Sequence, residues 1–373
     1  MMRFRSLIWL LVIALPVLSG CTHKSFTSVP KLQVSIHIPQ PFQTRADEGS
    51  VPSETEAEDR IHTLQIWVFL SRACAGHPAG TCIGYLAPDP LYLRETSETL
   101  FALPLEPAVA NEHPDVDVYV LANAASTGHG DLDANTSQST LNSLVMDGTV
   151  FGLRGNKPAC TEVPEEGLPF AGVGKSMKMK GDYPVMKLDV VTLTRAVSKL
   201  RFVFSQLADS EGPFSDCSVT GIQIGGSAIS SAEYVFNDRV TPYKIVPNLY
   251  ETARMDFAGL ASGQIALNEH PEDYAFSGQT AREYELLIQQ GIEDGVLTSC
   301  GLSYLRETNR KLSGRIDYVL QGIPGYAEFE MKDEGDFARN HNWIVYLYFT
   351  RDAIRFTVSW TPWEEGHDFY LTD

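Results

Sequence analysis

Apolar and polar residues alternate along several parts of the chain. In the first such segment the apolar members are Leu32, Val34, Ile36 and Ile38. A period of two places one face of a strand in a core and the other in solvent, so the pattern predicts a half-buried strand. Pro39 and Pro41 then end it, because proline cannot donate a hydrogen bond to a strand ladder.

Short runs of β-branched and aromatic residues recur to the end of the chain, separated by Gly, Pro, Asn and Asp, and such runs predict strands. The predicted strands are 61–70 (buried on both faces), 116–122, 187–204 (two strands or one long bent one), 219–224, 234–236, 315–320, 326–331, 343–349 and 354–360. Two segments, 138–146 and 281–290, have the apolar spacing of short helices. Many strands and few helices predict an all-β fold with minor α content, built from β-sandwich domains.

The first 21 residues have the pattern of an export signal. Arg3 and Arg5 precede an apolar run over 7–18, which is short for a bilayer span, and Leu18-Ser19-Gly20-Cys21 follows. Small residues directly before a cysteine look like a bacterial lipobox, in which the cysteine thiol accepts diacylglycerol. The pattern predicts a signal peptide over 1–20 and lipidation of Cys21. The alternative is an ordinary signal peptide with an accidental cysteine.

A change of composition follows the first predicted strand. No acidic residue occurs between Cys21 and Arg45, whereas six occur between Asp47 and Asp59, mixed with Ser, Pro and Gly. Such a polar stretch predicts a solvated, accessible loop, and proteolytic nicking concentrates in loops of this kind.

Composition and charge limit the class of protein. The 373 residues are 43% hydrophobic and 20% charged, which is typical of globular proteins and long enough for two domains. The net charge is −18, and it becomes −20 when the signal segment with Arg3 and Arg5 is removed. An acidic surface repels phosphate backbones, so the balance argues against a nucleic-acid partner.

Six cysteines are present, and five remain if Cys21 carries lipid. No C-x-x-C pair occurs, which argues against the commonest zinc and redox patterns. Cys74 and Cys82 flank a turn-rich insert, so the sequence allows either a small disulfide loop or two free thiols there.

Two segments approach known chemical motifs without completing them. Residues 172–176 end like a phosphate loop, but Pro169 stands where the first glycine is needed and no helix start follows. Residues 131–135 begin like a calcium loop, but Thr136 and Asn142 replace the turn glycine and the final Glu. The histidines show no metal spacing and no nucleophile motif occurs. We therefore expect no metal, no cofactor and no catalysis, although paired carboxylates of a glycosidase leave no sequence motif.

Several segments in this order resemble the fimbrillin superfamily, the FimA- and Mfa-like lipoprotein pilins of Bacteroidales that build type V pili. The segments are the lipobox at Cys21, Thr44-Arg45-Ala46, IHTLQIWVF (61–69), DVYVLANA (117–124), LTRAVSKLRF (193–202), ARNHNWIVYLYF (338–349) and FTVSW (356–360). They span most of the chain.

The resemblance implies two tandem transthyretin-like β-sandwich domains, over 46–190 and 191–373, and export to the outer membrane and cell surface. It implies cleavage between Arg45 and Ala46 by an arginine-specific protease, which would remove the lipid anchor and first strand (21–45). A strand from a neighbouring fimbrial subunit would then fill the groove vacated by Leu32, Val34, Ile36 and Ile38. The candidate donor strand carries Ile354, Phe356, Val358 and Trp360.

Two other functions compete with a fimbrial subunit or adhesin. The first is a carbohydrate-binding surface lipoprotein of a glycan-uptake system, which needs exposed aromatic platforms. Trp67, Trp343 and Trp360 lie in strand patterns typical of a core, whereas Trp363 is free to be exposed. The second is a hydrolase with paired carboxylates. Shaft, tip and anchor roles, and the surface ligand of an adhesin, stay open at this point.

Overall fold

The computed structural model describes most of the chain after residue 28. The described residues are 29–37, 57–88, 98–154, 157–158, 160–208, 217–224, 229–230, 234–236, 250–251, 259–307, 313–330, 337–351 and 353–362. Cys21, Ile38, Arg45, Ala46 and Trp363 lie outside them. None of the helices in this part of the chain is long and apolar enough to cross a membrane.

The first half of the chain forms a β-sandwich. Its strands are β1 (Lys31–His37), β2 (Leu64–Leu70), β3 (Cys82–Leu86), β4 (Glu98–Pro104), β5 (Asp115–Ala122), β6 (Leu153–Arg154), β7 (Lys157–Pro158), β8 (Phe170–Lys178), β9 (Val185–Lys187), β10 (Val191–Thr192) and β11 (Thr194–Arg195). One sheet has the order β10-β1-β4, with β9 also paired to β1, and the facing sheet has the order β11-β8-β5-β2-β3. Strands β6 and β7 form a separate two-stranded ribbon.

Alternate side chains of this second sheet enter two different cores. On β2, Ile66 and Val68 face the sheet that contains β1, whereas Trp67 and Phe69 face the opposite direction. Both sets are 0–1% exposed, as the prediction of a strand buried on both faces requires. The outward aromatic cluster also includes Phe236 and Tyr304 from the second half of the chain, so it joins the two halves.

The second half forms another β-sandwich. Its strands are β12 (Val197–Leu207), β13 (Cys217–Ile224), β14 (Ile229–Ser230), β15 (Tyr250–Glu251), β16 (Leu267–Asn268), β17 (Thr298–Arg306), β18 (Ser313–Leu320), β19 (Ile323–Glu330), β20 (His341–Phe349) and β21 (Ile354–Pro362). The larger sheet has the order β16-β12-β20-β21, and β17 also pairs with β12. The facing sheet has the order β13-β18-β19, and β14 pairs with β15.

Four α-helices lie wholly within the described residues: α1 (Pro107–Glu112), α2 (Gln138–Asn142), α3 (Gly148–Phe151) and α4 (Ala281–Glu293). Ala57 and Glu58 are also helical. Three 3-10 turns lie at Ala124–Thr127, Ser262–Gln264 and Pro271–Tyr274. Helix α4 begins at a capping box, in which the Thr280 hydroxyl accepts from the Glu283 N–H and the Glu283 carboxylate accepts from the Thr280 N–H. Its Tyr284 and Ile288 cover the outer face of the larger sheet.

The predicted all-β fold class is confirmed, and most predicted strands match an observed one. The segment 187–204 divides further than expected, because it spans the end of β9, all of β10 and β11, and the first eight residues of β12. Strands β10 and β11 pair with the first sandwich and β12 with the second. The domain ranges 46–190 and 191–373 stay a prediction.

Two local predictions are wrong. Residues 234–236 form no strand: Tyr234 makes a single bridge to Val145, and Val235 and Phe236 are buried against the first sandwich. An apolar triplet of this kind fills a core equally well from a loop. The helix predicted over 138–146 is shorter, because Val145 leaves it to make that bridge.

The insert between Cys74 and Cys82 contains two free thiols rather than a disulfide. Cys74 belongs to the core between the two sheets of the first sandwich, whereas Cys82 packs with the aromatic cluster on the outer face. The two side chains therefore lie on opposite faces of a sheet. Burial raises the pKa of the Cys74 thiol to about 11, which keeps it protonated and unreactive near neutral pH.

Candidate functional site: the groove around the first strand

Strand β1 lies in the interior of its sheet. All seven of its residues pair antiparallel with β4, from Lys31 opposite Pro104 to His37 opposite Glu98. Its other edge pairs in parallel with β9 and then with β10. The sequence pattern predicted a half-buried strand but gave no information about this central position.

One edge of β1 is paired with β4, and backbone hydrogen bonds also hold the opposite edge along its length. The Lys31 N–H donates to the Pro184 carbonyl at 2.8 Å, and the Gln33 carbonyl accepts from the Leu188 N–H at 2.9 Å. At the far end, the His37 carbonyl accepts from the Leu193 N–H at 2.9 Å. Since buried backbone groups need partners, removal of β1 would leave β4 on one side and β9 and β10 on the other without theirs.

The inward side chains of β1 are part of the main core of the first sandwich. Leu32 is 1% exposed, and Val34 and Ile36 are 0% exposed. The side chains of the same sheet that share this core include Phe101, Leu103, Met186 and Val191. Burial of a side chain of this size contributes roughly 1.5–3 kcal/mol, so the three together stabilise the sandwich substantially.

The outward side of this sheet carries apolar residues that sequence analysis did not single out. Leu100, opposite Ser35 on β4, is 53% exposed, and Val29, Tyr183 and Val190 are also exposed near the ends of β1, β9 and β10. Single exposed apolar residues are normal, but these four lie around one strand. They form an apolar rim around the β1 position.

The other predicted site residues fall into two groups. Cys21, Ile38, Arg45 and Ala46 lie outside the described residues, so lipidation and cleavage remain predictions. The candidate donor residues lie on β21, the last strand of its sheet in the described chain. Ile354, Val358 and Trp360 pack against the core of the second sandwich, whereas Phe356 is 41% exposed.

The segments set aside during sequence analysis have structural roles. Residues 172–176 lie within strand β8 and therefore do not form a phosphate loop. In the loop 131–135, the Asp133 carboxylate accepts from the Asn135 N–H at 2.8 Å, and its hydrogen bonds with Asn135 hold the pKa of Asp133 below its usual value. No group of three or more metal-ligating side chains occurs among the described residues.

The fold was compared with known proteins. No family model matches the chain, and no curated protein matches it significantly. A candidate cell adhesion protein from Parabacteroides distasonis has a similar structure, with 14% identity and a TM-score of 0.52 over 90% of this chain and 98% of that chain. The two proteins thus share a fold, but their sequence identity is too low for a function to be transferred from one to the other.

Two further structures resemble the chain more loosely. The tip fimbrial protein Mfa3 from Porphyromonas gingivalis, with a C-terminal truncation, has 14% identity and a TM-score of 0.47 over 90% of this chain and 99% of that chain. A fimbrial assembly protein from Parabacteroides distasonis has 13% identity and a TM-score of 0.45 over 88% and 95%. All three of these solved structures are described as fimbrial or cell adhesion proteins.

Proposed function

We propose that the chain is a subunit of a surface fimbria that is matured by loss of β1 and assembled by strand exchange. The precursor is exported, carries lipid on Cys21 and is held at the outer membrane. An arginine-specific protease then cuts between Arg45 and Ala46. The chain itself performs no catalysis in this scheme.

The position of β1 is the observation that carries this proposal. An edge strand can be lost with little effect, but β1 lies between β4 and the pair β9 and β10. Its loss opens a groove with apolar walls and two rows of unpaired backbone groups. Such a groove either aggregates or accepts a strand, and an added strand restores both the backbone pairing and the buried apolar surface.

The groove makes this chain a strand acceptor, and its partners are other fimbrial subunits. A strand that is donated to a neighbouring subunit must either detach from its own sandwich or be unpaired there from the start. Strand β21 is paired with β20 from Ile354 to Pro362, so donation by Ile354, Phe356, Val358 and Trp360 requires that whole pairing to open. We therefore favour a tip or accessory role, in which the chain receives a strand without donating β21.

The tryptophans in the described part of the chain give the glycan-binding alternative little support. Trp67 and Trp343 are 0% and 3% exposed, and Trp360 packs against Trp343 with ring centroids 5.8 Å apart. A carbohydrate platform needs an exposed aromatic face. The first two tryptophans cannot supply one without unfolding of their sandwich.

The proposal is tested by limited digestion of the unlipidated precursor, from Thr22 onward, with an arginine-specific protease. N-terminal sequencing locates the cut, and size-exclusion chromatography follows assembly. A clean cut before Ala46, with a product that stays monomeric until a donor subunit is added, supports the acceptor role. Self-polymerisation after the same cut supports a shaft subunit instead, and a resistant Arg45 in a folded monomer contradicts the proposal.

A further inference from the structure

The second described range begins at residue 57, and the side chain of its second residue, Glu58, is a buried carboxylate. Glu58 is 0% exposed, and its Oε1 atom lies 2.5 Å from the Lys199 Nζ atom and accepts from the Tyr304 hydroxyl at 2.6 Å. Lys199 on β12 and Tyr304 on β17 are direct register partners, so both side chains leave the same face and reach the same oxygen. Glu58 is thus bound to the second sandwich.

Asp59 makes a second ion pair of this kind. Its carboxylate binds the Arg195 guanidinium, whose side chain is only 1% exposed, whereas the Asp59 side chain is 21% exposed. Arg195 lies at the end of β11, two residues before β12 begins. A buried charge is strongly unfavourable without its partner, so both acidic residues are held firmly in place.

The next residues are bound to the first sandwich. The Asn123 side chain, 1% exposed, donates from Nδ2 to the Arg60 carbonyl at 2.9 Å and accepts at Oδ1 from the His62 N–H at 2.7 Å. We call residues 58–63 the anchor segment. Ion pairs fix Glu58 and Asp59 at its start, and hydrogen bonds from the backbone of the following residues to Asn123 fix the rest.

Arg60 lies inside the anchor segment and is the first arginine after Arg45. Its side chain is exposed, so residue type alone would make it a second site for an arginine-specific protease. Proteases bind the substrate backbone in an open, extended form, and cleavage of a structured segment requires local unfolding. Here unfolding must break the Glu58 and Asp59 ion pairs.

We propose that Glu58 and Asp59 close Arg60 to an arginine-specific protease, so that the maturation cut falls at Arg45 and not at Arg60. This inference rests on the proposed maturation. The prevented reaction is hydrolysis of the Arg60–Ile61 peptide bond. The C–N bond breaks, the hydroxyl of water adds to the Arg60 carbonyl carbon to give a carboxylate, and a proton goes to the Ile61 nitrogen to give an amine. That cut would remove both acidic residues from the buried Lys199 and Arg195.

The test compares processing of the unlipidated precursor with that of three variants. Glu58→Gln and Asp59→Asn remove one anchoring charge each without changing side-chain size. Asp189→Asn is the matched control, because Asp189 pairs with Lys180 on the surface and its side chain is 64% exposed. Each protein is first checked as a folded monomer by size-exclusion chromatography. Arginine-specific digestion is then followed over time by N-terminal sequencing and intact mass.

We expect wild type and Asp189→Asn to give only the new N-terminus Ala46. Glu58→Gln and Asp59→Asn should also give Ile61, at a rate roughly tenfold or more above wild type, since cleavage through local opening follows the population of the open state. If Glu58→Gln does not fold, Asp59→Asn, with its partly exposed side chain, decides the question.

Two results overturn the inference: folded variants that yield only Ala46, or wild type that is cut at Arg60 as fast as at Arg45. If the wild-type chain is not cut at Arg45 but the variants are cut at Arg60, the result supports the role of Glu58 and Asp59 and contradicts the proposed maturation. The two proposals therefore fail in distinguishable ways.

Discussion

Ile36 and Ser35 are neighbours on β1 with opposite surroundings. Ile36 is 0% exposed in the core of the first sandwich, and Ser35 lies on the outer side of the sheet opposite Leu100. In the precursor, Ile36 therefore contributes to stability as an ordinary core residue. The proposed maturation removes Ile36 with β1, so on this proposal the same substitution should have no effect on the matured chain.

We predict that Ile36→Ala destabilises the uncut precursor by about 2–5 kcal/mol, the usual cost of this truncation in a core. Ser35→Ala is the control and should change the free energy of unfolding by less than about 0.5 kcal/mol. Urea unfolding of the two variants measures the difference. Equal stabilities would show that β1 does not pack as described.

The buried free thiols make the free energy of unfolding depend on pH in the alkaline range. Burial raises the pKa of Cys160, Cys217 and Cys300 from 9.0 to about 12. A group whose pKa is raised in the folded state favours folding below its unfolded pKa. That contribution is lost as the pH rises through the folded pKa.

We predict that the free energy of unfolding falls as the pH rises from 9.0 toward about 12. Cys217→Ala should reduce this slope, because Cys217 is fully buried and its loss of solvation raises the pKa of its thiol. Urea titrations at a series of pH values test both statements. A slope that is the same in wild type and Cys217→Ala would contradict the second.

At the scale of elements, the sequence predicted β1 and α4 from local patterns. The alternation at Leu32, Val34 and Ile36 indicated β1, and the apolar spacing over 281–290 indicated α4. Neither signal says which strand lies beside which. The pairing of β1 with β9 and β10 joins residues about 150 positions apart, and no local pattern encodes it.

The anchor segment was missed for a related reason. Glu58 and Asp59 belong to an acidic, loop-like stretch, which by composition predicts solvated residues. Lys199 and Tyr304, which bury Glu58, are far away in sequence, and Tyr304 lies on β17, a strand that the sequence analysis did not predict. Lys199 itself was visible within the 187–204 strand pattern as a charged residue in a core strand, and that was the one available signal.

The capping box of α4 allows a prediction for this element. Thr280→Ala removes the hydroxyl that accepts from the Glu283 N–H at 3.2 Å and should cost about 1 kcal/mol. Thermal unfolding of the full chain measures the loss. Thr280→Ser, which keeps the hydroxyl, is the control, and an equal loss in both variants would mean that the cap does not act through this bond.

At the scale of the whole molecule, two sandwiches share an aromatic cluster and buried ion pairs, whereas β1 contributes only to the first. Its removal therefore leaves the second sandwich and the anchor segment intact. In the proposed maturation Val29 is lost with β1, and Leu100, Tyr183 and Val190 of the apolar rim remain beside the site at which an incoming strand would arrive. These features support the proposal that β1 is a replaceable strand.

The most direct test of this account is binding of a labelled peptide with the sequence of residues 29–40 to the chain after cleavage at Arg45. We predict specific binding of one peptide to the cut protein. The uncut precursor should bind none, because its own tethered β1 competes at a high effective concentration. A peptide with Val34→Asp is the control and should not bind. No binding to the cut protein, or equal binding of the two peptides, would contradict the claim that β1 is a replaceable strand.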